Sequence, residues 1–214
     1  MIFFGPDGAG KSTQAQRVMK YLSSQGCRTW RTWIRGRHSL AFFLANFLAE
    51  FGYCQIVDVS GEKRKVFDPR LLPRLALLWG AVEFVSVLPW IFLRVYLPRF
   101  LSYTVVAERY VVDTVVYLGY WLGYGYLTSF SAKVLLRFIP EDSVIIHLYA
   151  ETDTLLKRSF DDEVTQDFIE FQQDIYHKMA KRLDAISINT SKSSVEKTSQ
   201  KILDTLHRYT GSQK

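Results

Sequence analysis

The chain has 214 residues, 48% of them hydrophobic and 22% charged, with 27 Lys and Arg against 21 Asp and Glu for a net charge of +6. This length can bury a full core without covalent staples, and the composition excludes a disordered or fibrous protein. Two cysteines, Cys27 and Cys54, exclude a disulfide framework and a cysteine metal site. With no basic leader before the apolar start, the sequence reads as cytoplasmic and its cysteines as small buried apolar residues.

In chain order, Ile2–Phe4 is an apolar run entering a glycine-rich stretch and reads as a buried strand. Lys11–Ser24 has helical spacing, with Val18, Tyr21 and Leu22 on one face and Gly26 closing it. Arg28–Ile34 is β-prone and carries Trp30 and Trp33. Ser39–Phe51 is an apolar helix ended by Gly52, with His38, after two arginines, read as capping it or solvated and, as the alternative, as binding phosphate. Residues 58–70, with Glu62, Lys63, Arg64 and Lys65, read as a loop. Pro69–Leu101 is helical and broken near Pro89 and Pro98.

Tyr103–Ala107 and Val144–Tyr149 are further buried strands, with His147 as a core histidine. Between them Asp113–Gly125 and Ser129–Phe138 are helices. A helix starts at Thr152, Glu163–Leu183 is a long amphipathic helix, Ala185–Ile188 a last strand and Ser193–Tyr209 a final helix. Five strands alternating with helices predict an α/β fold with a doubly wound parallel sheet flanked by helices. The strands near 2–4, 103–107 and 144–149 are almost entirely apolar, which fits burial on both faces.

From Leu75 to Leu93 the only charge is Glu83, over nearly enough residues to cross a bilayer. Glu83 near its middle, Pro89, and Arg70, Arg74, Arg94 and Arg99 on both flanks favour a buried helix pair over membrane-surface contact or a span. Residues 151–174 hold two basic and eight acidic side chains. The basic surplus lies outside them, on a solvated surface or where a polyanion meets it.

Gly5-Pro6-Asp7-Gly8-Ala9-Gly10-Lys11-Ser12 fits G-x-x-x-x-G-K-[ST], after a strand and opening a helix. In such a loop, backbone N–H groups curl round the phosphates of ATP, the lysine reaches the β- and γ-oxygens, and the serine hydroxyl ligates Mg²⁺. The helix N-terminus adds its dipole. Gly5, Asp7, Gly8, Ala9, Gly10, Lys11, Ser12 and Thr13 are therefore the expected ATP contacts. Glu108 and Arg109, at the C-terminal end of a buried strand, stand where open α/β sheets bind ligands. The acid suits a magnesium hydration shell or the attacking oxygen; the arginine suits an acceptor phosphate. A strand-capping ion pair is the plainer alternative.

At these residues the chain resembles the thymidylate kinase family. Gly5–Thr13 looks like its phosphate loop, including the acid at Asp7, and Glu108-Arg109-Tyr110 resembles its Asp-Arg-Tyr motif. Ile145–Arg158 and Phe171–Tyr176 resemble the segments on either side of its lid. The resemblance implies a single P-loop kinase domain over 1–214, with a helical acceptor region at about 38–101 and a short lid at about 158–166. It implies transfer of the ATP γ-phosphoryl group to a nucleoside monophosphate, dTMP first, by a homodimer that binds no nucleic acid. Lys11, Glu108, Arg109 and Arg158 would be catalytic, and Ser12 and Glu108 would serve the metal. Asp7, Arg35, Arg37, Trp79, Arg109, Tyr110 and Asp113 would meet the acceptor. The base-reading residues differ: Trp79 and Glu83 stand where an Asp-Arg pair is usual, Leu118 where a glutamine is expected, and the lid is acidic (Asp161, Asp162, Glu163). Other acceptors (a sugar phosphate or a polyprenyl-type lipid) and a nucleotide-dependent switch are the alternatives. By position only, Thr190–Ser194 would border the adenine.

Overall fold

The computed structural model describes residues 1–34, 39–59, 62–71, 76–158 and 166–211. Five strands, β1 (Ile2–Phe4), β2 (Thr29–Trp33), β5 (Thr104–Arg109), β6 (Ile145–Tyr149) and β7 (Ile186–Asn189), form an all-parallel sheet in the order β2-β5-β1-β6-β7. Alternation along the strands sends successive side chains to opposite faces. Ile2, Phe4, Val105 and Ala107 join one core with helices α5 (Val111–Leu122), α6 (Tyr124–Leu127), α7 (Phe130–Arg137) and α9 (Gln166–Arg182). Phe3, Val106, Ile146 and Leu148 join the other with α1 (Lys11–Ser24), α8 (Thr152–Arg158) and α10 (Val195–Gly211). This is the expected α/β sheet flanked by helices, as in a P-loop kinase.

The middle of the chain departs from expectation. Residues 58–70 are not simply a loop: β3 (Cys54–Val59) and β4 (Glu62–Phe67) pair antiparallel as a hairpin, with Cys54 opposite Phe67. The dense charges on β4 hide the strand character of Val66 and Phe67. Nor does Pro89 break its helix. It lies inside α3 (Ala76–Ile91), which runs on through a π-helical turn at Phe92–Tyr96 into α4 (Leu97–Phe100). Pro89 leaves the Val85 carbonyl without its N–H partner. Pro98, the second residue of α4, likewise cannot donate to the turn before it, and the helix continues through both prolines. Helix α2 (Ser39–Glu50) packs on α3 through Ala41, Ala45 and Ala49. Cys27 is exposed just past the Gly26 turn, and Cys54 is half-buried, so neither is the buried apolar residue expected.

His147 is fully buried, stacked between Phe4 (ring centroids 5.1 Å) and Tyr149 (5.4 Å), with Nδ1 3.1 Å from Ser187 Oγ. Burial, then the nearby His177 and Lys11, push it down to about 3. The unfolded chain therefore takes up a proton near pH 6.5 that the folded one refuses. Stability from this group is present above that value and falls as pH drops toward 3. We expect about 2 kcal/mol to be lost between neutral pH and about pH 5. Denaturant titrations of the wild type and His147→Phe at several pH values check this, the variant showing a shallower slope.

Candidate functional site

Gly5 closes β1 at φ 141°, and an added Cβ would lie 2.0 Å from the Leu148 carbonyl oxygen of β6. The loop thus leaves the sheet wedged between two strands, where only glycine fits. Gly8 (φ 80°) and Gly10 (φ 86°) are left-handed, which turns the loop back into α1. Gly5→Ala should cost about 3 kcal/mol or more, read as a lower denaturant midpoint.

Lys11 is buried, with Nζ donating to the carbonyls of Gly5 (2.7 Å) and Pro6 (2.6 Å). The ammonium is thus held at the loop by two oxygens and is not a solvated surface charge. An open cleft of about 450 Å³ is bounded by residues 7–14 together with Arg109, Arg158, Thr190 and Ser193. Arg158, the last residue of α8, reaches Thr190 Oγ1 and O, both at 3.4 Å. Thr190 and Ser193 therefore stand beside the loop.

The end of β5 lies against the loop. β2 and β5 run in register from Thr29 opposite Thr104 to Thr32 opposite Ala107, after which Trp33 pairs with Arg109. Glu108 is skipped: it is an extra residue at a bulge, a device that re-aims side chains at sheet edges. Its carboxylate accepts hydrogen bonds from Arg31 of β2 and from Ser12. Burial alone would raise the Glu108 carboxyl. The Arg31 and Ser12 hydrogen bonds, with the charges of Arg31 and Lys11, outweigh it and hold the group below the usual carboxylate range.

Arg109 pairs with Asp7 of the loop and, at 3.5 Å, with Asp113 of α5. Asp113 is fully buried and also accepts the Tyr176 hydroxyl (3.0 Å) and the Tyr110 N–H (3.2 Å). A chain of alternating charges therefore joins the glycine loop, the strand end and two helices. It holds Arg109 at the cleft wall.

Of the residues expected to serve a site, the loop, Glu108, Arg109 and Arg158 come together, and Asp113 stands behind Arg109. Tyr110 points away: its hydroxyl donates to the Phe138 carbonyl (2.8 Å) and its ring is fully buried. Trp79 also lies elsewhere, packed on Phe67 (centroids 4.4 Å) at an apolar cavity of about 90 Å³ with Leu44, Leu48 and Val82. Arg35, Arg37 and His38, and the acidic lid residues Asp161, Asp162 and Glu163, lie outside the described residues.

Arg31 was not anticipated. The only sequence signal was a lone charge inside a β-prone run, and its partner is 77 positions away. Arg31→Ala removes the Arg31 hydrogen bond and charge, leaving Ser12 and Lys11 alone to oppose burial, and so should raise the Glu108 carboxyl. The acid limb of any Glu108-dependent activity then moves to higher pH. A pH–rate profile of wild type and variant checks this, and Arg31→Lys should move it only part of the way.

The oxygen pair of Ser12 and Glu108 suits Mg²⁺, which is typically held by one or two carboxylates and substrate phosphates. Among the described residues there is no group of three or more His, Cys, Asp or Glu that would form a metal cage of its own. No family model matches the chain. It is 24% identical over 221 residues to the thymidylate kinase of Caldicellulosiruptor saccharolyticus, covering 96% of each chain. With the parallel sheet and the glycine loop, this likeness suggests a nucleotide kinase.

Proposed function

We propose that the chain is an ATP- and Mg²⁺-dependent phosphotransferase of the nucleoside monophosphate kinase type, converting dTMP to dTDP in the cytoplasm. The observation that carries this reading is the Asp7–Arg109–Asp113 chain, which holds Arg109 at the same cleft as Lys11. It sets a held cation for an acceptor phosphate beside a loop built for a donor phosphate. In this reading the chain is one kinase domain over 1–214, with the acceptor region near 38–101 and the lid near 158–166.

Phosphoryl transfer is mostly positioning and charge neutralisation, and the residues divide that work. The N–H groups of the loop and Lys11 hold the β- and γ-phosphates. Arg109 grips the acceptor phosphate, with Asp7 and Asp113 fixing the guanidinium plane. Arg158 enters from the lid side to meet charge on the transferring group. Ser12 and Glu108 would hold the Mg²⁺, which would supply charge neutralisation at the phosphate oxygens. Glu108, kept below the usual carboxylate range by Arg31 and Ser12, would serve that ion as a carboxylate.

ADP release, measured by a coupled assay over a panel of nucleoside monophosphates, tests the reading. The expected result is the highest kcat/KM with dTMP. No stimulation by any nucleotide, in protein whose melting point ATP raises, would sink it. Stimulation by an isoprenoid phosphate in detergent would assign a lipid acceptor instead.

A further inference from the structure

Helix α2 is apolar on two opposite faces. Ala41, Ala45 and Ala49 pack against α3. On the far side Leu40, Phe43, Phe47 and Phe51 repeat at helical spacing and are all exposed. A soluble surface helix normally presents charge there.

The neighbouring helical run repeats the anomaly. Leu78–Phe100 forms 23 helical residues, and its most apolar 18-residue stretch has a mean hydropathy of 1.5 and is only 39% buried. Its outer stripe is Leu78, Ala81, Val85, Pro89, Phe92 and Phe100, without one polar residue. At about 1.5 Å per residue the run is about 34 Å long. Phe43, Phe47, Phe51, Phe92 and Phe100 alone are 58–85% exposed, which is on the order of 600 Å² of aromatic surface. Shared between the two faces, that is a large aromatic area to leave exposed on a monomer, before any Leu or Val is added.

The surroundings of these faces are cationic and amphipathic. Arg28 stacks on the Tyr103 ring (4.3 Å) and donates to its hydroxyl (2.7 Å), and Arg94 stacks on Trp90 (4.4 Å) and donates to the Trp33 carbonyl (2.9 Å). Trp30 and Trp33 are exposed on the outer strand of the sheet. Among the described bases between residues 28 and 101, Arg31, Lys65, Arg70 and Arg99 pair with Glu108, Glu50, Asp68 and Asp142, so Arg28 and Arg94 are the cations that border the run. Apolar faces bordered by Arg and Trp match the layering of a bilayer surface, where acyl chains lie beneath the headgroups. A two-fold pairing of copies would bring the same basic border near itself. Anionic headgroups neutralise it.

We propose that α2 and the Leu78–Phe100 run form a docking surface for an anionic lipid bilayer, on which the protein rests without crossing it. The inference does not depend on the acceptor, because docking needs no turnover.

Flotation of the full-length protein with vesicles of phosphatidylcholine alone, or of equimolar phosphatidylcholine and phosphatidylglycerol, tests it. The protein should float with the anionic vesicles, less as salt is raised, and about tenfold less with the neutral ones. Phe43→Glu/Phe47→Glu and Phe92→Glu/Phe100→Glu should each lower binding at least about tenfold. Circular dichroism and the melting shift given by an ATP analogue should stay unchanged, which separates lost docking from lost folding. Arg28→Glu/Arg94→Glu should weaken anionic binding and flatten its salt dependence. Protein that stays at the bottom with both vesicles overturns the proposal, as does equal flotation with both. A solution dimer that Phe43→Glu/Phe47→Glu splits into monomers also overturns it, since a second copy then covers the face.

Discussion

Lys11→Met is expected to lower phosphoryl transfer by about a thousandfold or more while the protein stays folded. The lysine opens α1, and its ammonium is bonded to Gly5 O and Pro6 O at the cleft. A bound phosphate would find that charge already in place and already stripped of most water, which is what makes such a group effective. Methionine keeps the apolar stem and removes the charge. The two carbonyls can take water from the cleft, so the stability cost stays near 2 kcal/mol at about 1 kcal/mol per net hydrogen bond. For a chain of this size that is about 4–8 °C in melting temperature. Two measurements separate the effects. ADP release gives kcat, and thermal melts with and without a non-hydrolysable ATP analogue give binding. The variant should melt slightly early and show no analogue-dependent shift. Transfer within tenfold of wild type would mean that the glycine loop does not hold the donor phosphates.

The residues differ sharply in how far sequence alone could place them. The loop was legible because its chemistry is local: eight consecutive residues define it, and a strand and a helix frame it. The sheet was legible because strands buried on both faces must be apolar throughout, as Ile2–Phe4 and Thr104–Ala107 nearly are. The Arg31–Glu108 contact was not, since it depends on which strand lies beside β5 and on the one-residue slip at Glu108. Tyr110 shows the same limit from the other side. It neighbours Arg109 in the chain, yet at the strand end adjacent side chains part, and its ring goes to the core. In the middle of the chain, an apolar repeat marked α2 and α3 as helices but could not say how much of each would be covered. Coverage is a property of the neighbours: the alanines of α2 meet α3, and its phenylalanines meet nothing among the described residues that buries them.

Arg109→Met should lower kcat/KM by about a hundredfold, chiefly through the acceptor KM, and should also destabilise the fold. The two effects have separate origins. The guanidinium stands between Asp7 on the loop and Asp113 in the core. Asp113 has no solvent exposure, so losing its cationic neighbour leaves a buried carboxylate supported only by Tyr176 and the Tyr110 N–H. Breaking a buried pair from one side costs about 3 kcal/mol or more, discounted to about 2 kcal/mol because two hydrogen bonds remain and the contact is long. Adding Asp113→Asn removes the stranded charge while keeping a group that can still accept from Tyr176. The double variant Arg109→Met/Asp113→Asn should therefore recover most of the lost stability and none of the lost transfer. Urea titrations and acceptor-saturation kinetics on the wild type, both single variants and the double variant complete the cycle. Recovery of transfer along with stability would reduce Arg109 to a strand-end ion pair. Recovery of stability alone would leave it as the group that meets the acceptor phosphate.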